Sequence, residues 1–301
     1  MQKLKTVLSL ALLLIISSVC LVACKTNNDT ISLTEAKTII VNALAIEQAQ
    51  ATSSSQNQTG NRDILEKLGS IEISVSSETK TFPEDTTYAT QTMQGYYEYS
   101  NGLFQKYLME MYSTQNSYSE TTKEYSADCQ TVFVSTNDEI STATIQPNQA
   151  LGYSETLGGM YIQILNALFT DKAFESAYDD TVKRVSTSTG FNLILSLDLK
   201  GYSRLITLDS MTDEEYEVWW QEQLGYANDF PKEVRDLEQF LLTISFDKNQ
   251  EIISLDFTAQ NGVAVDPGEH VAYFKTTSSL TVSKSNHPIS QPQWVEDYLA
   301  Q

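Results

Sequence analysis

Apolar residues along this chain keep two different periods, and the change from one to the other organises it. Leu33, Ala36, Ile39, Ile40, Ala43 and Leu44 recur every three or four positions, which predicts an amphipathic helix facing a core. Ser32-Leu33-Thr34-Glu35 opens it as a capping box, with Ser32 as N-cap. Residues 48–62 are rich in Gln, Ser, Thr and Asn and read as a flexible connection. A helical turn over 63–68 stops at Gly69. The period then becomes two, beginning with Ile71, Ile73 and Val75. Strands over 88–99 and 103–112 flank Asn101-Gly102, a strong hairpin signal. Strands over 117–125 and 130–135 follow, and 137–153 reads as loop with a short strand at 141–145.

A second helix is predicted over 155–169, with Ser154 as N-cap and Leu157, Tyr161, Ile164, Leu165 and Leu168 on one face. Strands return at 181–186 and 191–199, the latter with Leu193, Leu195, Leu197 and Leu199 on one side. Thr212-Asp213-Glu214-Glu215 is another capping box, opening a helix that carries Tyr216, Trp219, Trp220 and Leu224. The chain closes as a meander: strands 241–246 and 252–259 around the turn Asp247-Lys248-Asn249-Gln250, then 270–277 and 280–283. Long antiparallel strands with inserted helices define an α+β class, and no linker divides residues 32–301, which read as one domain.

The N-terminus follows a different logic. Lys3 and Lys5 precede an apolar run over 8–19, closed by Leu21-Val22-Ala23-Cys24. A basic start, an apolar core and a small-residue cleavage site describe a secretory signal. The run is shorter than the ~20 residues of a membrane-spanning helix. Its ending resembles the bacterial lipobox. That resemblance implies removal of residues 1–23 and diacylation of Cys24 as the new N-terminus. Cys20 fits less well, because β-branched Val19 precedes it. Two acyl chains anchor a protein stably, where one holds it only marginally. Residues 24–31 then form a polar tether, of which 25–31 reach at most about 25 Å at ~3.5 Å per residue. The expected location is the outer face of a bacterial cytoplasmic membrane. Only four of the nineteen basic residues are arginine, which points to an AT-rich, Gram-positive type of host.

Composition adds one constraint. The 301 residues are 41% hydrophobic and carry a formal charge of -20. Loss of Lys3 and Lys5 with the signal lowers this to about -22. Such a body repels nucleic acid and anionic headgroups, so neither is an expected partner, whereas a cationic partner is allowed. Of three cysteines only Cys129 remains for the body, so no intrachain disulfide forms. It falls in an expected strand and reads as a small buried hydrophobe.

Candidate chemistry is sparse. His270 and His287 are the only histidines, and neither belongs to a metal-spaced set, so no metal or cofactor is expected. Gly152-Tyr153-Ser154-Glu155-Thr156 lacks the second Gly of a nucleophile elbow. Ser77-Glu78-Thr79-Lys80 has the Ser-x-x-Lys spacing of penicillin-interacting enzymes, but it ends a strand rather than opening a helix. Acids cluster at Asp179-Asp180, Asp213-Glu214-Glu215 and Asp247, which leaves a glycosidase-type carboxylate pair open. First-turn acids and turn capping account for the latter two. Sixteen tyrosines, many in strands, fit sheet packing first and a ring-lined cavity second. Trp219 and Trp220 are adjacent, so only one faces the core squarely; the expectation is that Trp219 or Trp220 stands near the rim of an apolar ligand site, the alternative being that both rings complete the core.

The order of elements carries one further resemblance. A lipidated Cys, a short tether, an amphipathic helix, long antiparallel strands broken by helices and a final Asn286-His287-Pro288-Ile289-Ser290-Gln291-Pro292 look like the lipoprotein-carrier superfamily of LolA-like and LppX-like proteins. The likeness spans residues 33–292 without a fingerprint motif. It implies a curved, half-open antiparallel barrel with helices on its concave face. The leading expectation is a membrane-anchored, non-enzymatic lipoprotein binding an apolar ligand or a partner there. A carboxylate-dependent envelope hydrolase and a structural or adhesive protein with a filled core are the alternatives.

Overall fold

The computed structural model describes residues 28–44, 67–100, 103–144, 168–169, 171–197, 200–201, 211–227, 231, 239–265 and 272–301. The signal, Cys24, the segment 48–62, the Asn101-Gly102 turn and most of the helix expected over 155–169 lie outside the described residues.

Among the described residues twelve strands form one antiparallel sheet, most of them built on the alternation of apolar and polar positions. They are β1 (Asn28–Ser32), β2 (Ile71–Phe82), β3 (Thr87–Ser100), β4 (Leu103–Gln115), β5 (Tyr118–Ser126), β6 (Thr131–Thr136), β7 (Glu139–Thr144), β8 (Thr181–Ser186), β9 (Gly190–Leu197), β10 (Gln239–Asp247), β11 (Ile252–Val265) and β12 (Ala272–Lys284). Their spatial order is β1-β8-β9-β10-β11-β12-β2-β3-β4-β5-β6-β7. Two consecutive meanders, β2–β7 and β8–β12, are thus welded side by side through the β12·β2 pair, where twelve residues are in register from Tyr273↔Phe82 to Lys284↔Ile71. The sheet is curved and open, with β1 and β7 at its edges.

One face of the sheet carries the core. On β9 and β10 every second residue is buried: Phe191, Leu193, Leu195 and Leu197 against Phe240, Leu242, Ile244 and Phe246. Phe191 and Phe246 stack at 4.7 Å between ring centroids. The same cluster runs across Ile71, Ile73 and Val75 on β2 to Tyr97 on β3 and Met109 on β4. Full burial of each such aliphatic side chain contributes roughly 1.5–3 kcal/mol.

Helices complete that inner face. α1 (Leu33–Leu44) buries Ala36, Ile40 and Leu44, spaced four apart, into the sheet cluster. The N-cap half of its capping box is formed, with the Glu35 N–H donating to Ser32 Oγ at 3.2 Å. α2 (Asp171–Ser176) adds Ala173 and Phe174 to the same cluster. α3 (Asp213–Ala227) closes the Thr212 capping box reciprocally: Thr212 N–H donates to Glu215 Oε2 at 2.8 Å and Glu215 N–H to Thr212 Oγ1 at 3.3 Å. These bonds to the carboxylate hold Glu215 below the usual range. α4 (Gln293–Leu299) departs from the concave-face expectation. Val295 and Ile289 pack with Tyr96, Leu108, Tyr125 and Phe133, which point from β3–β6 to the opposite, outer face.

Four other readings change. The tether expected to run to Ile31 ends earlier, because Asn28–Ser32 is β1, paired with β8 from Asn28↔Val185 to Ser32↔Thr181. The two strands expected at 270–277 and 280–283 are one, β12; neighbours on both sides hold Ser278 and Ser279 in the ladder. The short strand expected at 141–145 is β7 and begins two residues earlier. Cys129 lies in the β5–β6 turn at φ 51° rather than in a strand. Asp128 dictates that turn, its Oδ1 accepting from the backbone N–H groups of Gln130 and Thr131, each at 2.9 Å.

Candidate functional site

Along the inner face the long strands change character at one level. The last apolar row reads Phe257, Leu280, Val75, Met93, Met111 and then Thr122 across β11, β12, β2, β3, β4 and β5. Two residues further along, the next row reads Ala259, Ser278, Ser77, Gln91, Ser113, Glu120. The row beyond reads Asn261, Thr276, Thr79, Ala89, Gln115, Tyr118. Alternation persists while hydrophobicity stops, so the sheet extends past its core as a polar platform. A depression of about 260 Å³ opens there, lined by Ser77, Thr79, Ala89, Gln91, Ser113, Gln115 and Tyr118, with Thr90 and Thr114 at its wall.

Cross-strand hydrogen bonds arrange this platform. Ser278 Oγ donates to Ser77 Oγ at 3.1 Å, and the Thr79 and Thr276 hydroxyls pair at 3.1 Å. Gln115 Nε2 donates to the Tyr88 hydroxyl at 2.7 Å, and Gln91 Nε2 to the Met111 sulfur at 2.9 Å. A bulge at Thr79/Lys80 shifts the register, and Tyr88 meets Phe274 with ring centroids 4.8 Å apart. The platform is therefore bounded by an aromatic pair at its far end and by the apolar row at its near end. Tyr118, 58% exposed, stands at the β5 side with its hydroxyl on Glu120 Oε2 at 3.0 Å. That bond to a carboxylate raises the Tyr118 pKa.

Deeper on the same face lies a buried polar cluster. Tyr97 and Tyr107 stack at 5.6 Å, and the Tyr107 hydroxyl donates to Glu124 Oε2 at 3.4 Å. Gly95 makes room for the Tyr97 ring, since a Cβ there would lie 2.6 Å from a ring carbon. Burial, then the Glu124 charge, push both phenols well above their ordinary value. Cys129 is 1% exposed, and burial with the Asp128 charge moves its thiol up to about 12. The two phenols and the thiol therefore stay protonated at neutral pH.

The residues singled out from sequence fall as follows. Trp220 is buried and Trp219 half-buried on α3, beside Tyr216 at 6.3 and 5.6 Å between centroids. The Tyr216 hydroxyl donates to the Lys200 carbonyl at 2.6 Å, and Lys200 pairs with Glu217 at 2.7 Å, which ties the helix down. Neither Trp lines the depression described above. Ser77 and Lys80 lie on β2, where Lys80 pairs with Glu78 at 3.6 Å, so no Ser-x-x-Lys helix exists. Asp247 caps the β10–β11 turn, accepting from Asn249 and Glu251 N–H at 2.8 and 2.9 Å. His287 stacks on Tyr96 at 4.1 Å on the outer face. Among the described residues no cluster of three or more His, Cys, Asp or Glu is placed to hold a metal, and no helix is long and apolar enough to cross a membrane. The platform itself was not singled out from sequence. Its one signal was the continuation of period two beyond the last apolar residue of each strand.

No family model matches the sequence, and no curated protein matches it. Two solved structures overlap it at low similarity. A DUF1329 family protein from Desulfovibrio piger ATCC 29098 is 7% identical over 89% of this chain and 98% of its own, with a TM-score of 0.22. A porin-like protein from Bacteroides uniformis ATCC 8492 is 12% identical over 70% of this chain and 96% of its own, with a TM-score of 0.19. Neither likeness bears on function.

Proposed function

We propose that this chain is a lipid-anchored, extracytoplasmic binding protein without catalytic activity, held to the membrane through Cys24 and receiving its ligand or partner on the inner side of the open sheet. The observation that carries the reading is the change of character along that face. Half of it is closed by packed apolar side chains, and the other half is an open platform with a depression. A chain that needed only a core has no use for polar strand ends that extend beyond it. Two of the three acid clusters do not favour the hydrolase reading, because Glu215 and Asp247 are engaged with the backbone groups that they cap.

A second reading, a buried apolar ligand, draws on the breadth of the apolar cluster from Val182 on β8 to Val132 on β6. Native mass spectrometry of the purified full chain separates the two, since a co-purifying lipid favours the apolar ligand.

Membrane fractionation tests the anchor. Wild type should sediment with membranes carrying an acylated Cys24, and Cys24→Ala should be released or retain its uncleaved signal. A Cys24→Ala protein retained with the wild-type mass overturns the anchor. For the binding side, a photo-crosslinking residue at Ser113 should capture a molecule in cells while one at Tyr112, on the outer face, should not. Equal capture at both, or none at Ser113, counts against the inner side.

A further inference from the structure

The polar platform has a chemistry of its own, and it narrows the ligand. We infer that the depression between β2, β3, β4 and β5 binds an uncharged carbohydrate, a single sugar or one repeat of a chain laid across the sheet; this rests on the binding reading proposed above.

Three observations select that class. First, no charged side chain lines the depression, although the chain carries a net charge of -20. An ionic ligand would find no counter-charge in the lining, and Glu120 on β5, beside Ser113, accepts from Tyr118 at the margin. An anionic ligand would also meet the repulsive field of the whole body. Second, every lining residue except Ala89 carries a hydroxyl or an amide, set among the carbon atoms of their own side chains. Ser77, Thr79 and Ser113 present hydroxyls, each a donor and an acceptor, and Gln91 and Gln115 present amides with two donors and one acceptor oxygen, while the Thr90 and Thr114 hydroxyls, on the alternate side of their strands, pair with each other at 2.7 Å. Gln91 spends one N–H on the Met111 thioether, a weak acceptor, and Gln115 spends one on Tyr88. Each amide retains its second N–H and its oxygen for the geometry that binds vicinal hydroxyls. Third, rings bound the patch: Tyr118 is exposed at one side and Tyr88 packs with Phe274 at the end. Aromatic faces beside hydroxyl-matching groups suit the apolar C–H face and polar rim of a sugar ring.

The dimensions agree. Side chains on one face repeat about 6.8 Å apart along a strand and about 4.8 Å across strands, so the two polar rows form a regular lattice of donors and acceptors. The volume of about 260 Å³ falls just under the ~300–1,000 Å³ of enclosed ligand pockets, which fits a short, shallow contact.

The test is titration calorimetry of the full chain in detergent micelles against malto-, cello-, laminari- and chitohexaose, with polygalacturonate as a charged comparison. At least one neutral oligosaccharide should bind. Gln91→Ala and Gln115→Ala should each weaken it tenfold or more, Ser113→Trp should abolish it by filling the depression, and outer-face Tyr112→Ala should leave it unchanged. Urea midpoints of all variants near wild type show that the fold is intact. Preference for polygalacturonate, or affinity unmoved by the two Gln variants in folded protein, overturns the inference. If no sugar binds but Ser113 still crosslinks a molecule in cells, the carbohydrate inference fails and the binding reading stands. If neither occurs, both fail.

Discussion

Two substitutions on one face of one strand measure whether the polar platform is structural. Ile73 and Thr79 are six residues apart on β2, so both point inward. Ile73 is 0% exposed, between Gly95 on β3 and Val282 on β12. Truncating it to Ala removes buried methyls and leaves a cavity, at a cost of roughly 2–5 kcal/mol. Thr79→Ala removes one hydroxyl from the pair with Thr276 at a half-buried site. A cross-strand pair of that kind contributes about 0.2–1 kcal/mol. With a urea m-value of about 3 kcal/mol/M, the upper end for small proteins, a 3 kcal/mol loss moves the midpoint down by about 1 M, and 0.5 kcal/mol by about 0.2 M. Equilibrium unfolding followed by tryptophan fluorescence reads both shifts. Equal shifts for Ile73→Ala and Thr79→Ala would refute the division of the face into a half that stabilises and a half left for binding.

Other outcomes follow from single residues. Asp128 has its carboxyl lowered chiefly by the Thr131 and Gln130 N–H bonds, so its contribution is complete above the ordinary carboxylate range and is lost as pH falls through its lower folded value. Asp128→Asn keeps an acceptor oxygen but loses the charge, so it should melt below wild type at pH 7 and converge with it in acid, once the wild-type carboxyl is protonated; a difference that persists unchanged in acid contradicts the reasoning. Cys129, with its thiol at about 12, should react with a disulfide reagent at pH 8 only after denaturant is added; prompt labelling of native protein contradicts its burial. A Cβ on Gly190 meets the Phe246 carbonyl oxygen, so Gly190→Ala should cost about 1–3 kcal/mol in the same urea assay, and an unchanged midpoint contradicts that close approach.

The parts of the fold that were legible share a property: their pattern is decided locally. β9 and β10 alternate strictly because one side is core, and the capping boxes at Ser32 and Thr212 announce α1 and α3 from four residues each. β1 was not legible. Its five residues hold one aliphatic, Ile31, and its strand character comes from pairing with β8, some 150 positions away. α4 is seven residues long, too short to show a period, and is fixed by Val295 docking on the outer face. Ser278 and Ser279 looked like a break, yet hydroxyl pairs with Ser77 and Ser76 bind them into β12. The platform was hidden for the same reason. Ser77, Gln91, Ser113 and Thr276 are unremarkable apart and become a surface only through register across four strands.

The place of β1 has a consequence for how the protein stands on a membrane. If Cys24 carries the lipid, covalent reach from it to Asn28 is at most about 14 Å at ~3.5 Å per residue, so one edge of the sheet is kept low. From β1 the hydrogen-bonded order passes through β8, β9, β10, β11 and β12 before reaching β2. At about 4.8 Å per step, the strands β2 to β4 lie roughly 29–38 Å from that edge, measured along the sheet. The width of the sheet then sets how far from the anchored edge the platform can stand. An arm built of hydrogen-bonded strands keeps its length, so the distance between such a platform and the anchored edge would stay constant however the body tilts about its tether.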